Sequence, residues 1–255
     1  MIKSLKAWLS PGASNKRRYP VLNGSVVYAI GDVHGRSDCL ARVHARIDLD
    51  MARQPEGMRI GEVYLGDLVN RGNDSRGVVD ALIERAQRRN ILLVKGNHEI
   101  ALERFLTGEL GVEGWKRFGG FETLRSYGVS PLALKQAGPR LTQLACAAIP
   151  SGHRDFLASA EPFFRVDDYV FVHAGLRPGV ALEAQSIEDL AWIRNDFLDY
   201  GEDYGFIVVH GHTPVAQIDF KNNRINMDTG AYATNHLSLL RLDRSGPIAL
   251  FDEDI

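Results

Sequence analysis

"YLGDLVNRG", residues 64–72, opens as an apolar run of strand type and then places Asp67, Asn70 and Arg71 in quick succession. A strand that runs out into a carboxylate, an amide and a guanidinium is either a plain turn or one wall of a site, and the rest of the chain decides which. Working outward, "SVVYAI" (25–30), "EVYLG" (62–66), "ILLVKG" (91–96), "YVFVHA" (169–174) and "FIVVHG" (206–211) have the β-branched, apolar character of buried strands. Helical periodicity occupies 37–53, 75–89 and 187–199. The order strand, helix, strand, helix, strand predicts an α/β fold with a largely parallel first sheet. Beyond Gly211 the runs shorten to 215–220, 224–228, 236–242 and 247–251, with "KNN" at 221–223 as a hairpin turn, and predict a second, antiparallel-rich layer. Between these halves, 100–165 is mostly helical and is broken by "RFGGFETLRSYG" (117–128), as an insertion over a site would be.

Composition bounds the function. A chain of 255 residues, 45% hydrophobic and 24% charged, can bury a substantial core, and residues 24–255 are expected to form one domain. A net charge of −2 argues against general nucleic-acid binding, which needs a basic excess. Cys39 and Cys146 are too few for a disulfide scaffold and are expected to be reduced and to serve packing. Residues 1–23 carry Lys3, Lys6, Lys16, Arg17 and Arg18 without an acid and are expected to be a basic N-terminal extension; weak attachment to anionic lipid is the sharper alternative. No uninterrupted apolar run there suits a signal peptide or a membrane span, so the expected location is the cytoplasm.

The chemistry is concentrated where the strands stop. The first ends in "GDVHG" with Asp32 and His34, the second in "GDLVNRG" with Asp67, and the third in "GNHE" with Asn97 and His98. The fourth ends in "VHAG" with His173 and the fifth in "HGHTP" with His210 and His212. Carboxyl ends of strands form the ligand crevice in open α/β sheets, so these loops are expected to converge. A set of His, Asp and Asn is borderline in hardness and suits Mn, Fe, Zn or Co. Glycines 31, 35, 66, 96 and 211 fit turns in which the backbone passes close to a ligand. Each motif alone has an ordinary reading: a strand-end histidine held by a hydrogen bond, a turn at "GD", or a helix start at "GNHE" with Asn97 as cap and Glu99 in the first turn. Five in one ordered series do not.

"GDVHG", "GDLVNRG", "GNHE", "VHAG" and "GHTP", in this order, resemble the phosphoprotein-phosphatase branch of the calcineurin-like metallophosphoesterases, from about Val26 to Ile255. The resemblance implies a four-layer α/β/β/α sandwich with a helical insertion and a centre of two divalent ions, manganese first, with iron, zinc, cobalt or nickel as alternatives. It implies Asp32 and His34 as ligands of the first metal, Asp67 as the bridge, and Asn97, His173 and His212 as ligands of the second. Hydrolysis would then proceed by attack of a hydroxide held at the metals, with no phosphoenzyme. His98 matches the general acid and Arg71 a phosphate-binding arginine. Arg194, in "AWIRNDF", is a weaker second clamp, and Asp228 a partner for a ligand histidine or a plain turn. His210 is expected to be a hydrogen-bonded strand-end residue near the site. Trp115, Lys116, Arg117 and Arg125 of the insertion are candidates for stacking and phosphate contacts, with a place in the core the commoner reading for Trp115.

Asn70 departs from the aspartate that many protein phosphatases of this branch carry there. An amide orients His98, expectedly by accepting its N–H, but cannot support a positive imidazole as a carboxylate does. Leaving groups that need little protonation, such as aryl phosphates and phosphoanhydrides, should suffer least. The expected function is a metal-dependent phosphoesterase, first of the bacterial Ser/Thr protein phosphatase kind acting on phosphorylated protein. A symmetrical diadenosine tetraphosphate hydrolase is the alternative, and a non-catalytic metal-binding regulatory module is the third reading.

Overall fold

The computed structural model describes residue 22 and residues 24–250. The chain runs through β1 (Ser25–Ile30), α1 (Ser37–Met51), β2 (Arg59–Tyr64), α2 (Ser75–Ala86) and β3 (Ile91–Leu93). A helical stretch follows: α3 (Asn97–Leu106), α4 (Val112–Arg117), α5 (Gly120–Ser126), α6 (Pro131–Gln136), α7 (Leu141–Ala148) and α8 (Ser151–Ala158). Then come β4 (Phe163–Val166), β5 (Tyr169–Val172), α9 (Ile187–Trp192), α10 (Asn195–Leu198), β6 (Ile207–His210), β7 (Asp219–Phe220), β8 (Arg224–Asn226), α11 (Ala231–Thr234), β9 (Leu239–Asp243) and β10 (Gly246–Leu250).

Two five-stranded sheets result, ordered β10-β9-β1-β2-β3 and β4-β5-β6-β8-β7. The period-two alternation of β1 explains the layering. Val26, Tyr28 and Ile30 face a core shared with α1, α2 and the helical stretch, whereas Val27 and Ala29 face the second sheet. The second sheet mirrors this: Tyr169, Phe171, Ile207 and Val209 point inward to the first sheet, and Val170, Val172 and Val208 outward to Leu190, Ile193 and Phe197 of the α9–α10 region. A strand buried on both faces must sit inside a four-layer α/β/β/α stack. β1, β2 and β3 are mutually parallel, so their carboxyl ends open on one edge; β5, β6 and β8 are parallel as well.

Three expectations change. The shorter C-terminal runs do not form a layer of their own. β9 pairs antiparallel with β1, and β10 with β9, in the first sheet, while β8 joins the second by pairing with β6. Long-range pairing of apolar strands, not chain proximity, decides the sheet. The "KNN" turn does close a hairpin, with Lys221 N–H donating to Arg224 C=O at 2.8 Å. The region read as helical to residue 165 already contains the start of β4, an edge strand whose alternation is half-exposed and hence weak. The helix expected over 187–199 breaks at Ile193, whose ψ of 144° turns it into the outer core and ends α9. Residues 1–21, the bulk of the basic arm, lie outside the described residues; Leu22 is buried between the sheets and donates its N–H to Asp243 C=O at 3.1 Å.

Candidate metal centre

Five of the seven non-glycine residues with positive φ among the described residues are His34, Asp67, Asn70, Arg71 and His212, all at strand ends of one edge. Such backbone costs about 1–3 kcal/mol per residue and persists only where the surroundings over-determine it. Here Glu99 supplies much of that. Buried at the start of α3, its carboxylate accepts from the N–H groups of Gly96 (3.0 Å), Asp67 (2.8 Å), Leu68 (2.8 Å) and Val69 (3.4 Å), tying the second strand-end loop to the third. The same junction explains Gly66 and Gly96: a Cβ at Gly66 would lie 2.7 Å from Gly96 N, and one at Gly96 2.3 Å from Asp67 N. Glu99 is thus a clamp between loops, a larger part than the helix-dipole residue expected of it.

The loops bring together all six residues expected to hold metal. His34 Nε2 lies 3.4 Å from Asp67 Oδ2, and His173 Nε2 lies 3.3 Å from Asp67 Oδ1. Asn97 Oδ1 is 2.9 Å from His173 Nε2 and 3.1 Å from His212 Nδ1, which are themselves 3.2 Å apart. Asp32 turns Oδ2 to the His212 N–H at 3.0 Å, and among the described residues its buried Oδ1 has no partner; nor has His212 Nε2. Among the described residues, two groups of three bring their ligand-type atoms within 4.8 Å of one another: His34, Asp67 and His98, and Asp67, His173 and His212, with Asp67 common to both. Asp32 belongs to neither group, and His98 stands where it was expected.

Hydrogen bonds on the outer nitrogens assign the rings. His34 Nδ1 meets Val69 C=O at 3.1 Å and His173 Nδ1 meets Leu65 C=O at 2.8 Å, so each donates there and aims an Nε2 lone pair at Asp67. His98 is the reverse. Asn70 Nδ2 donates to His98 Nδ1 at 3.0 Å, which makes Nδ1 the acceptor and puts the ring proton on Nε2, 3.7 Å from Asp67 Oδ2. That ring offers a proton to the site, not a lone pair. The expectation that the amide would accept from His98 is therefore corrected: Thr123 donates its hydroxyl to Asn70 Oδ1 at 2.7 Å, which turns the N–H2 toward the imidazole.

The donor set fits a pair of cations. Lone pairs of His34 and His173 face carboxylate oxygens, and the Asn97 oxygen faces only acceptors; turned over, its N–H2 would meet the same atoms, with both Asp67 oxygens at 3.2 Å. Imidazole lone pairs turned on carboxylate oxygens are what a central cation calls for. Burial, with the charges of Asp228 and Asp67, pushes the Asp32 carboxyl well above the usual range, and burial pushes Asp67 up to about 7. Burial, aided by Arg71, pulls His34 down to about 3; burial with His173 pulls His212 to about 2. Neutral imidazole is the ligating form, and a divalent ion would offset the cost of the clustered carboxylates.

The rim carries the cations. Arg71 and Arg194 are exposed, and neither has a carboxylate partner among the described residues. The Arg71 guanidinium lies 4.8 Å over the Tyr232 ring, and Arg194 Nη1 donates to Thr213 Oγ1 at 3.3 Å, beside His212. The helix break at Ile193 is what swings Arg194 to this edge. Asp228 serves a turn, its Oδ1 accepting from Gly230 N–H at 2.8 Å, with no bond to a ligand histidine. His210 is buried, its Nδ1 3.1 Å from Gly211 C=O and its ring edge-on to Phe197.

A model of the family described as "Calcineurin-like phosphoesterase" matches residues 25–237. The chain belongs to that family. Members work with a metal pair, and this one is a phosphoester hydrolase. It is 26% identical over 232 residues to "Bis(5'-nucleosyl)-tetraphosphatase PrpE [asymmetrical]" of Geobacillus sp. (strain WCH70), covering 83% of this chain and 88% of the relative. It is 28% identical over 192 residues to "Bis(5'-nucleosyl)-tetraphosphatase, symmetrical" of Nitrosomonas europaea (72% of this chain, 59% of the relative). The solved structure titled "Crystal structure of a putative diadenosine tetraphosphatase" has the same fold, with a TM-score of 0.60 at 19% identity over 91% of this chain and 98% of that one.

Within this calcineurin-like phosphoesterase the helical stretch meets the site through other residues than those expected. Trp115 is fully buried and stacked on Phe105 at 5.0 Å, Lys116 lies over Phe121, and Arg125 pairs with Glu122 at 3.4 Å; Arg117 is exposed. What reaches the site is the segment 118–123 between Arg117 and Arg125. Phe118 sets its ring against His98 (5.1 Å), Gly119 C=O accepts from Arg71 N–H (3.2 Å), and Thr123 Oγ1 accepts from Asn70 N–H (3.0 Å). Gly119 has φ 73°, and a Cβ there would lie 2.8 Å from Arg71 N, so only glycine backs that arginine this closely. Glu99, Thr123 and Tyr232 escape a sequence reading. The one advance signal was the double glycine in "RFGGFETL". Among the described residues no helix is long and apolar enough to cross a membrane.

Proposed function

We propose that this phosphoesterase hydrolyses the phosphoanhydride chain of dinucleoside tetraphosphates, with Asp32, His34 and Asp67 holding one metal ion and Asp67, Asn97, His173 and His212 the other. When bound, the metal pair supplies neutralisation of phosphoryl charge and lowers the pKa of the attacking water. Arg71 and Arg194 bind phosphoryl oxygens from the two sides of the rim, and His98 Nε2–H donates to the departing oxygen. The carrying observation is the Asn70 amide donating to His98 Nδ1. An imidazolium would present N–H at that same nitrogen, against the amide N–H2, so this geometry favours a neutral donor. A neutral donor suffices for a nucleotide phosphate leaving group and serves an alkoxide of serine or threonine poorly. The names of the Geobacillus and Nitrosomonas relatives support the same order of readings, which places the dinucleotide ahead of the phosphoprotein first expected. The asymmetrical cut comes first, because the Geobacillus relative shares more of its length with this chain.

Protein phosphatase activity is the second reading, favoured by the exposure of Arg71 and Arg194 on an open rim that a peptide can reach. As part of the same proposal, residues 24–255 act as one catalytic domain in the cytoplasm, with residues 1–23 as a basic arm. The test is turnover of diadenosine tetraphosphate and of a phosphothreonine peptide by manganese-loaded protein. The reading expects kcat/KM at least about tenfold higher for the dinucleotide, with ATP and AMP as products. Two ADP would move the cut to the symmetrical position, and faster release of phosphate from the peptide would overturn the reading.

A further inference from the structure

Beside the metal loops lies an open groove of about 610 Å³, walled by Arg36, Arg71, Asn73, Tyr232 and Asn235. Tyr232 is 39% exposed, although its ring is only 5.4 Å from that of His34. An exposed aromatic is usually a mobile surface residue; this one is fixed. It rides on α11, a single turn between left-handed Gly230 (φ 64°) and Asn235 (φ 62°). Two arginines of the α1 region pin that turn from below: Arg36 Nη1 donates to Ala231 C=O at 2.7 Å and Arg42 Nη2 to Asn235 C=O at 2.8 Å. Thr234 Oγ1 closes it onto Thr229 C=O at 2.9 Å.

The charges of the groove are sorted. Arg36 is held by both oxygens of Asp38 (2.8 and 2.6 Å), and Asp74 caps α2 through Gly77 N–H at 2.9 Å. That leaves Arg71 as the wall's unneutralised cation, stacked on Tyr232, and the side-chain amides of Asn73 and Asn235 without a partner among the described residues. A rigid aromatic, a stacked guanidinium and two free amides, adjoining a phosphate-cleaving centre, match a flat heterocycle with a polar edge attached to a phosphate. Phosphate alone would need only Arg71.

We propose that this groove is a nucleoside subsite, in which a base stacks against the Tyr232–Arg71 pair and offers its polar edge to Asn73 and Asn235; it rests on the dinucleotide reading and names where one nucleoside of that substrate lies. The test is calorimetric binding to manganese-loaded protein of adenosine 5'-(α,β-methylene)diphosphate and of methylenediphosphonate, which share a phosphonate head with a carbon bridge and differ by the nucleoside. The proposal expects the nucleoside to add about tenfold or more in affinity, an advantage retained in Tyr232→Phe and reduced to within about twofold in Tyr232→Ala. Equal affinities in the wild type would overturn it. So would a Tyr232→Ala variant that weakens both ligands alike, since Tyr232 would then serve only to place Arg71. Preference for the nucleoside ligand in a protein that leaves diadenosine tetraphosphate intact would sink the dinucleotide reading and keep the subsite.

Discussion

Two clusters of buried polar side chains share the second strand of the first sheet, and they are built on opposite rules. In β2 itself, Glu62 accepts from Arg85 Nε (2.6 Å) and from Tyr64 O–H (2.7 Å), Tyr64 meets His44 Nε2 (2.8 Å), and Arg85 also reaches Asp48 (3.0 Å). Opposite charges meet, and among the described residues only Glu62 Oε1 is a buried side-chain atom there without a partner. Just past the end of β2, Asp67 sits among His34, Asn97, His173 and His212, with the lone pairs of His34 and His173 turned on its oxygens, and among the described residues Asp32 Oδ1 and His212 Nε2 are unpartnered. The first cluster pairs its carboxylate with a guanidinium as it stands and serves stability. The second is complete only with added positive charge, and that is how a site differs from a structural network on the same strand.

The largest effect that would break this contrast belongs to Asp67→Asn. Phosphate release from any ester should fall about 10³-fold or more, while the thermal midpoint holds or rises because a carboxyl burdened by burial is removed. A large loss of stability with activity retained would erase the distinction. Arg85→Met should do the opposite, leaving Glu62 buried and uncompensated at a cost of about 3–5 kcal/mol in urea unfolding, with metal content unchanged.

Glu99→Gln sharpens the comparison, because Glu99 stabilises by serving the site. Losing the charge and one acceptor oxygen should cost about 1.5–3 kcal/mol and weaken metal binding by about 10–100-fold, read together by unfolding and metal titration. Next, Asn70→Asp replaces a donor by an acceptor at His98 Nδ1 and should raise turnover of alkyl relative to aryl phosphates by about tenfold. An unchanged ratio would mean that His98 is not the proton donor.

The smallest effect lies in the paired cluster and is a matter of pH. Burial, then Arg85, lowers His44 from 6.5 to about 3. The folded state therefore prefers the neutral ring; that contribution is intact above pH 6.5 and is lost as pH falls from 6.5 toward 3. His44→Gln should flatten this part of the acid dependence, seen as urea midpoints that decline less between pH 7 and pH 4. A parallel decline in both proteins would place the acid sensitivity elsewhere.

The same contrast explains what the sequence made legible. Strand-end motifs were readable because apolar runs and the residues after them are local, and chain order alone pointed the loops of Asp32, Asp67, Asn97 and His173 to one edge. Glu99, Thr123 and Tyr232 were not, because their parts are set by contacts far along the chain: Thr123 comes to Asn70 from α5, and Tyr232 comes to Arg71 from a turn before β9. For Trp115 the core reading held over the stacking one: its side chain is buried against Phe105. β9 and β10 were assigned to the wrong layer because pairing with β1 depends on which edge of that strand is open, which periodicity does not carry.

The central claim is that acceptors crowded around Asp67 are the cradle of two cations. It is tested most directly by soaking crystals of the wild-type protein in manganese and mapping its anomalous scattering. The account predicts two peaks roughly 3.5–4 Å apart on either side of the Asp67 carboxylate, one toward His34 and one toward Asn97, His173 and His212. A map with no peak at Asp67, in crystals that bind manganese elsewhere, would contradict it.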